Sequence, residues 1–130
     1  MSRRATATFD LDTWKEEPYD DLDGTKLTRS RVTKTFHGDV EGRSTVELLM
    51  AYAPEGSGAY CGLERVVGTV HGRSGSFILQ HTAVSSRTGQ TTSWAVVPDS
   101  GTGELRGMEG TGDIGRQPGG AHTFTLDYDL

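Results

Sequence analysis

Three ionisable side chains occupy positions where the alternating pattern of the sequence predicts burial: Glu64, His81 and His122. A carboxylate or an imidazole on an apolar face is either paired for structural reasons or kept for chemistry. Because histidine titrates near neutral pH, such a set can accept and return a proton. We therefore take them as candidate catalytic residues, with Glu64 as base or anion stabiliser and the histidines as proton donors or shuttles. The alternative is a set of polar plugs, hydrogen-bonded to tyrosines and water.

Glu64 and His81 belong to a predicted β-hairpin over residues 60–84, whose two strands alternate in polarity. A two-residue turn at positions 73–74 would place Val66 opposite His81. In that register Glu64 is a diagonal neighbour of His81, and the bulky apolar side chains share one face. The hairpin would thus bring an acid and a base together on a buried surface.

Short alternating runs continue along the rest of the chain. Besides the two strands of the hairpin there are six: residues 4–14, 26–37, 43–53, 91–97, 104–109 and 121–130. Residues 15–25 and 110–120 are interpreted as loops, and no segment has the periodicity of an amphipathic helix. Evenly spaced strands are typical of a sandwich or a barrel, and eight antiparallel strands close into a barrel without exposed edges. We predict one all-β domain over residues 1–130, a lipocalin-like eight-stranded antiparallel β-barrel with an internal cavity.

A barrel of this size can enclose one small ligand. The side chains expected to shape its walls lie on inward faces or near strand ends: Tyr52, Tyr60, Val66, Phe77, Leu79, Trp94, Phe124 and Tyr128. Because these side chains are mostly apolar, we predict a hydrophobic small molecule as the ligand. A filled interior is the alternative, since small eight-stranded barrels occur in both forms.

Charge and cysteine content narrow the possible functions. The chain has 18 acidic and 13 basic residues, so it lacks the basic surface that neutralises nucleic-acid phosphates. Cys61 is its only cysteine, which excludes an intrachain disulfide and a thiolate zinc site, and we predict a small buried hydrophobe there. No apolar run approaches the roughly 18 residues of a membrane span, and the N-terminus has no apolar signal region. We expect a cytoplasmic protein that binds neither nucleic acid nor membrane.

Neither a cofactor nor a metal ion is expected. Gly110–Gly115 matches the dinucleotide fingerprint G-x-G-x-x-G, but Pro118 and a strand follow where that fold needs a helix. The four histidines show neither H-x-H nor H-E-x-x-H spacing. A histidine–carboxylate metal site assembled across strands stays open as an alternative.

Four segments together resemble a bacterial domain-of-unknown-function family: residues 33–52, 60–81, 93–112 and 122–128. Members of that family are similar to the allene oxide cyclase barrel. The resemblance implies eight antiparallel strands around a cavity and a homodimer or higher homo-oligomer. The same architecture includes plant allene oxide cyclases and bacterial polyketide cyclases, which shape flexible apolar substrates with few polar groups. No catalytic motif of the plant enzymes matches this chain, so the candidate residues rest on pattern.

The resulting hypothesis is a cofactor-free isomerase or cyclase that acts on a polyketide- or fatty-acid-like molecule bound inside the barrel. Binding would hold the substrate in a reactive conformation, which can supply several kcal/mol of the barrier. One alternative is a non-catalytic carrier that uses the same pocket. Another is a filled barrel that serves as a structural or partner-binding oligomer.

Overall fold

Eight antiparallel strands close into a barrel in chain order in the computed structural model, which describes residues 2–130. Each strand pairs with its neighbours in sequence, and β8 returns to the first residues of β1. The strands are β1 (Arg3–Leu22), β2 (Thr25–Gly38), β3 (Val40–Tyr52), β4 (Gly58–Val70), β5 (Arg73–Ser86), β6 (Gly89–Val96), β7 (Glu109–Arg116) and β8 (His122–Asp129). The predicted all-β, eight-stranded antiparallel barrel is confirmed.

The two ends of the barrel differ, because connections in an up-and-down barrel alternate between them. One end, the closed end, is plugged by the β6–β7 connection, whose 3-10 turn (Gly103–Leu105) buries Leu105 and is followed by the buried Met108. The other end, the open end, carries the β1–β2, β3–β4, β5–β6 and β7–β8 turns. Strands β1 to β5 have 13 to 20 residues and β6 to β8 have 8 each. The wall is therefore tall on one side and low on the other.

The closed half of the barrel is packed by apolar side chains that alternate inward along the strands. Phe36 and Phe124 meet edge to face, with ring centroids 5.5 Å apart. The largest members of this cluster are Phe36, Phe77, Leu79, Leu105, Met108, Phe124, Leu126 and Tyr128. A smaller cluster of Val32, Val46 and Leu48 lies apart from it, with Met50 and Tyr60 packed against it.

Strand β1 continues to Leu22, so the loop predicted for residues 15–25 is wrong; only Asp23 and Gly24 form the turn. Beyond Phe9 the strand has left β8 and pairs with β2 alone. Pro18 is tolerated there because an edge strand has one side on which no ladder hydrogen bond is needed. The acidic composition of residues 15–25 indicated a loop, but it suits an exposed strand equally well. We call the two-stranded extension that β1 beyond Phe9 forms with β2 the β1–β2 arm.

The seventh strand lies later in the chain than predicted. It covers Glu109–Arg116, whereas residues 104–109 are mostly the end of the 3-10 turn and its exit. The glycines that indicated a loop instead let β7 approach β8 closely. A Cβ atom at Gly110 would collide with the carbonyl oxygen of Asp127.

The hairpin of β4 and β5 turns earlier than predicted. His71 and Gly72 form the turn, with φ of 47° and 78°, the two left-handed residues that a tight hairpin turn of this kind requires. Val66 therefore faces Phe77 instead of His81, which faces Gly62. The partner of Val66 thus moves from position 81 to position 77, which is an even number of residues. Because side chains alternate between the two faces with a period of two, every side chain keeps its predicted face.

The closest approach of β3 and β4 gives a test of the fold. Gly42 faces Gly68, and a Cβ atom at Gly68 would collide with the carbonyl oxygen of Glu41. We expect Gly68→Ala to lower the free energy of unfolding by about 1–3 kcal/mol through overpacking, as measured by urea denaturation. Gly119→Ala is the control, because a Cβ atom there meets nothing within 4 Å. Equal effects of the two substitutions would contradict the described register.

Candidate functional site

Four polar side chains from adjacent strands meet inside the barrel. Lys34 of β2, Ser44 of β3, Glu64 of β4 and His81 of β5 are all buried, Glu64 completely. Nζ of Lys34 lies 3.3 Å from Oε1 of Glu64, and Nε2 of His81 lies 2.8 Å from the same oxygen. The Ser44 hydroxyl donates a hydrogen bond to Oε2 of Glu64. We call these four residues the buried cluster; Glu64 is its centre.

Glu64 is ionised because its partners outweigh its burial. Burial alone would raise the pKa of this carboxyl, but the His81 contact, the Lys34 charge and the Ser44 hydroxyl together lower it. Both carboxylate oxygens are occupied by these partners. A buried carboxylate with this many partners is well placed to orient its neighbours.

Lys34 is the cation of the buried cluster. Its ammonium lies 4.7 Å from the ring centroid of Phe9 and 5.2 Å from that of Trp94, which supplies cation–π attraction in place of water. Burial lowers the pKa of Lys34, and the charge of Glu64 opposes this shift. Lys34 and Glu64 therefore balance each other's charge within the barrel.

His81 sits between Glu64 and Trp94. Its Nε2 lies close to Oε1 of Glu64 but makes no well-formed hydrogen bond with it, so the contact is mainly electrostatic. Its ring centroid lies 3.5 Å from that of Trp94. Burial lowers the pKa of His81, and Glu64 opposes this shift, so the imidazole is neutral at neutral pH.

Trp94 presents an unused hydrogen-bond donor. Its indole Nε1 is buried and has no acceptor among residues 2–130. Buried donors without a partner are rare in folded proteins, and each calls for an explanation such as a bound ligand. An acceptor atom from outside residues 2–130 would satisfy this N–H.

A cavity of about 300 Å³ opens from the buried cluster toward the open end of the barrel; we call it the mouth cavity. Its volume is at the lower end of the range for ligand sites, about 300–1,000 Å³. Lys34, His81 and Trp94 line its inner part, whereas Glu64 does not line it. The remaining lining residues are Phe9, Leu11, Trp14, Val32, Val46, Leu48, Met50, Tyr60, Ile114, Arg116 and His122.

The structure distributes the predicted site residues over four places. His81, His122, Tyr60 and Trp94 line the mouth cavity, and Glu64 lies behind it. Tyr52 lies on the arm side of the open end, where its hydroxyl donates to Oε2 of Glu16 at 2.6 Å. The other predicted wall residues lie in the packed core and do not line the cavity: Val66, Phe77, Leu79, Phe124 and Tyr128.

Sequence reasoning missed Lys34 and placed Cys61 wrongly. Lys34 lies in a strand rich in threonine and basic residues, which obscures its inward position. Its spacing from Val32 and Phe36, both buried, was the available signal. Cys61 is exposed instead of buried. Its neighbour Gly62 pairs with the buried His81 and therefore lies on the inward face, so Cys61 lies on the outward face.

Residues 2–130 contain neither a metal-binding cluster nor a membrane-spanning helix. No group of three or more histidine, cysteine, aspartate or glutamate side chains is arranged to hold a metal ion. No helix in this range is long and apolar enough to cross a membrane.

Comparison with known proteins identifies relatives by family and by structure. Residues 5–128 match the family described as "Protein of unknown function (DUF3224)". A crystal structure of a DUF3224 family protein of unknown function from Shewanella oneidensis MR-1 is 36% identical, with a TM-score of 0.87. The match covers 100% of this chain and 98% of that one. No curated protein matches the chain.

The Lys34–Glu64 pair can be tested by a double-mutant cycle. Lys34→Met leaves a buried carboxylate without its cation, and we expect it to lower the free energy of unfolding by about 3–5 kcal/mol. Glu64→Gln in the Lys34→Met background should restore part of that loss, because no unpaired charge remains. Urea denaturation of the two single variants and the double variant measures the coupling.

The exposed Arg31–Glu47 pair, with Nη1 and Oε1 2.9 Å apart, is the matched control. Its coupling energy should stay below about 1 kcal/mol. Additive effects of the Lys34 and Glu64 substitutions would show that the buried charges do not depend on each other.

Proposed function

The chain belongs to the DUF3224 family, and we propose that it is a cofactor-free isomerase or cyclase whose hydrophobic substrate binds in the mouth cavity. The observation that carries the proposal is the position of Lys34, His81 and Trp94 along the inner lining of an apolar cavity, where the buried indole N–H of Trp94 has no partner among residues 2–130. Burying ionisable groups is costly, and clusters of this kind concentrate at functional sites. Substrates with a polyketide- or fatty-acid-like body suit the apolar lining.

The proposed reaction moves a proton next to a substrate carbonyl group. His81, neutral because of its lowered pKa, takes a proton from the carbon beside the carbonyl. The electron pair of that C–H bond forms the carbon–carbon double bond of an enolate while the carbonyl π pair moves to the oxygen. The N–H of Trp94 and the ammonium of Lys34 stabilise this enolate. If the substrate has a neighbouring double bond, the enolate is conjugated, and His81 returns the proton to its far carbon, which completes an isomerisation. If the substrate has a second carbonyl, the enolate carbon attacks it and closes a ring, and His81 gives its proton to the alkoxide that forms.

Glu64 acts in this proposal as a positioning residue. Its carboxylate is completely buried, and its oxygens are taken by Lys34, His81 and Ser44. In the tautomer that carries its proton on Nε2, the nitrogen beside Glu64, Nδ1 of His81 is the proton acceptor. His122 lies at the rim of the cavity, where it contacts substrate and not the buried cluster.

A non-catalytic carrier is the second candidate. The observation that favours it is the charge balance of Lys34 and Glu64. A buried polar pair with a purely structural role would need the same balance, so the pair by itself does not require catalysis. The two candidates share the mouth cavity and differ only in whether bound molecules exchange protons.

Two finer expectations stay part of the proposal: a cytoplasmic location and assembly into a homodimer or higher homo-oligomer. For assembly, the outer faces of β3, β4 and β5 expose large apolar side chains, among them Leu49, Leu63, Val67 and Val84. Exposed apolar patches of this kind are typical of protein interfaces.

Proton exchange in D₂O tests the catalytic proposal without knowledge of the natural substrate. The probes are 2-octanone and 4-phenylbutan-2-one, and NMR follows deuterium entry beside the carbonyl. We expect His81→Gln to slow enzyme-dependent exchange by about 10²- to 10⁴-fold while ketone affinity is retained. The wild-type rate should stay high below pH 6.5 and fall only as His81 gains a proton at its lowered pKa.

His37→Gln is the control, because His37 is exposed and contacts Asp10 outside the cavity. Trp94→Phe keeps an aromatic ring and removes the N–H, so it should slow exchange by about 10²-fold even if His81→Gln destabilises the barrel. Ketones that bind without enzyme-dependent exchange would favour the carrier.

A further inference from the structure

The mouth cavity is electrostatically one-sided. Among its lining residues there is no aspartate or glutamate, whereas four are basic residue types: Lys34, His81, Arg116 and His122. Glu64 balances Lys34 from behind the cavity wall. Glu16, on the β1–β2 arm, does not line the cavity, and its carboxylate accepts hydrogen bonds from Trp14, Thr28 and Tyr52.

Arg116 and His122 form the basic part of the rim. They are register partners at the last position of β7 and the first of β8. The Arg116 guanidinium forms no ion pair with the acidic side chains of residues 2–130. The His122 ring stacks on Phe9, with centroids 5.2 Å apart and planes inclined by 19°, so it is held against the cavity wall.

The two ends of the cavity therefore favour different groups on a ligand. At the inner end the Lys34 charge is already balanced by Glu64, so a neutral group such as a carbonyl matches this end better than a second anion. At the rim a permanently charged guanidinium has no counter-charge, which favours an anion. Between them, the exposed apolar side chains of Leu11, Trp14 and Ile114 favour an apolar body.

We infer that the ligand of this barrel is a monocarboxylate, whose apolar body fills the mouth cavity and whose carboxylate binds Arg116, with His122 beside it, at the rim. The inference rests on the proposed ligand site and adds its chemical class. A planar carboxylate matches the fork of one guanidinium, and a single negative charge matches its single unbalanced positive charge.

Matched acid and amide ligands test this inference. Octanoate is compared with octanamide, and 3-phenylpropanoate with 3-phenylpropanamide, by calorimetric titration and by quenching of tryptophan fluorescence. Each amide has nearly the shape of its acid without the charge. We expect the acids to bind at least about tenfold more tightly, with an affinity that falls as salt is added.

Arg116→Gln should remove this preference by weakening the acids about tenfold or more and leaving the amides unchanged. Arg43→Gln removes an exposed arginine that does not line the cavity, so it controls for net charge and should leave both ligand classes unaffected. Equal binding of acids and amides to the wild type would overturn the monocarboxylate and leave the proposed cavity in place. Binding of neither class would overturn the monocarboxylate and count against the proposed ligand site as well.

Discussion

The mutual neutralisation of Lys34 and Glu64 is the interaction on which the interior of this barrel depends. A charge placed alone in a low-dielectric interior costs several kcal/mol, so neither residue is tolerable without the other. Their contact spans β2 and β4, with Ser44 between them on β3, and His81 extends the set to β5. Four adjacent strands are thereby linked by one carboxylate, which also holds His81 near Trp94.

The plugged closed end and the short strands β6 to β8 decide where a ligand can enter. The 3-10 turn and the aromatic core fill the closed half, so the free volume lies toward the open end. Strands β6 and β7 pair through only two residue pairs, Trp94 with Gly112 and Ala95 with Thr111. Trp94 therefore stands at the least extensively bonded seam of the barrel, beside the mouth cavity. Sparse pairing is typical of regions that open locally, and such a seam is a natural place for ligand access.

Much of the fold could be predicted because the alternation of inward and outward side chains along a strand is kept even when a turn is misplaced by one residue or more. The hairpin turn was misplaced, yet the even shift kept Glu64 and His81 on one inward face and still as diagonal neighbours. The loop predicted for residues 110–120 was wrong because glycine has two uses. It marks loops, but here the close approach of β7 to β8 requires Gly110. Lys34 was not recognised because its burial depends on partners from β1, β4 and β6, which lie far away in sequence.

The location of the free volume could not be predicted for a similar reason. Apolar side chains on inward faces can either pack together or line a cavity, and the sequence pattern is the same for both. Phe124 and Trp94 are both aromatic and inward, yet only Trp94 lines the mouth cavity. The difference arises from the plugged end, which the 3-10 turn creates in a segment predicted as a strand.

The central claim is that the mouth cavity holds an organic ligand. Native mass spectrometry of the protein purified from its own host, followed by denaturing extraction, tests it most directly. The account predicts a bound small molecule on the wild type and on Val84→Phe, which enlarges an exposed outer residue, and its loss from Val46→Phe, which fills the cavity. Retention by a folded Val46→Phe variant, or a wild type that is empty and binds no apolar compound, would contradict it.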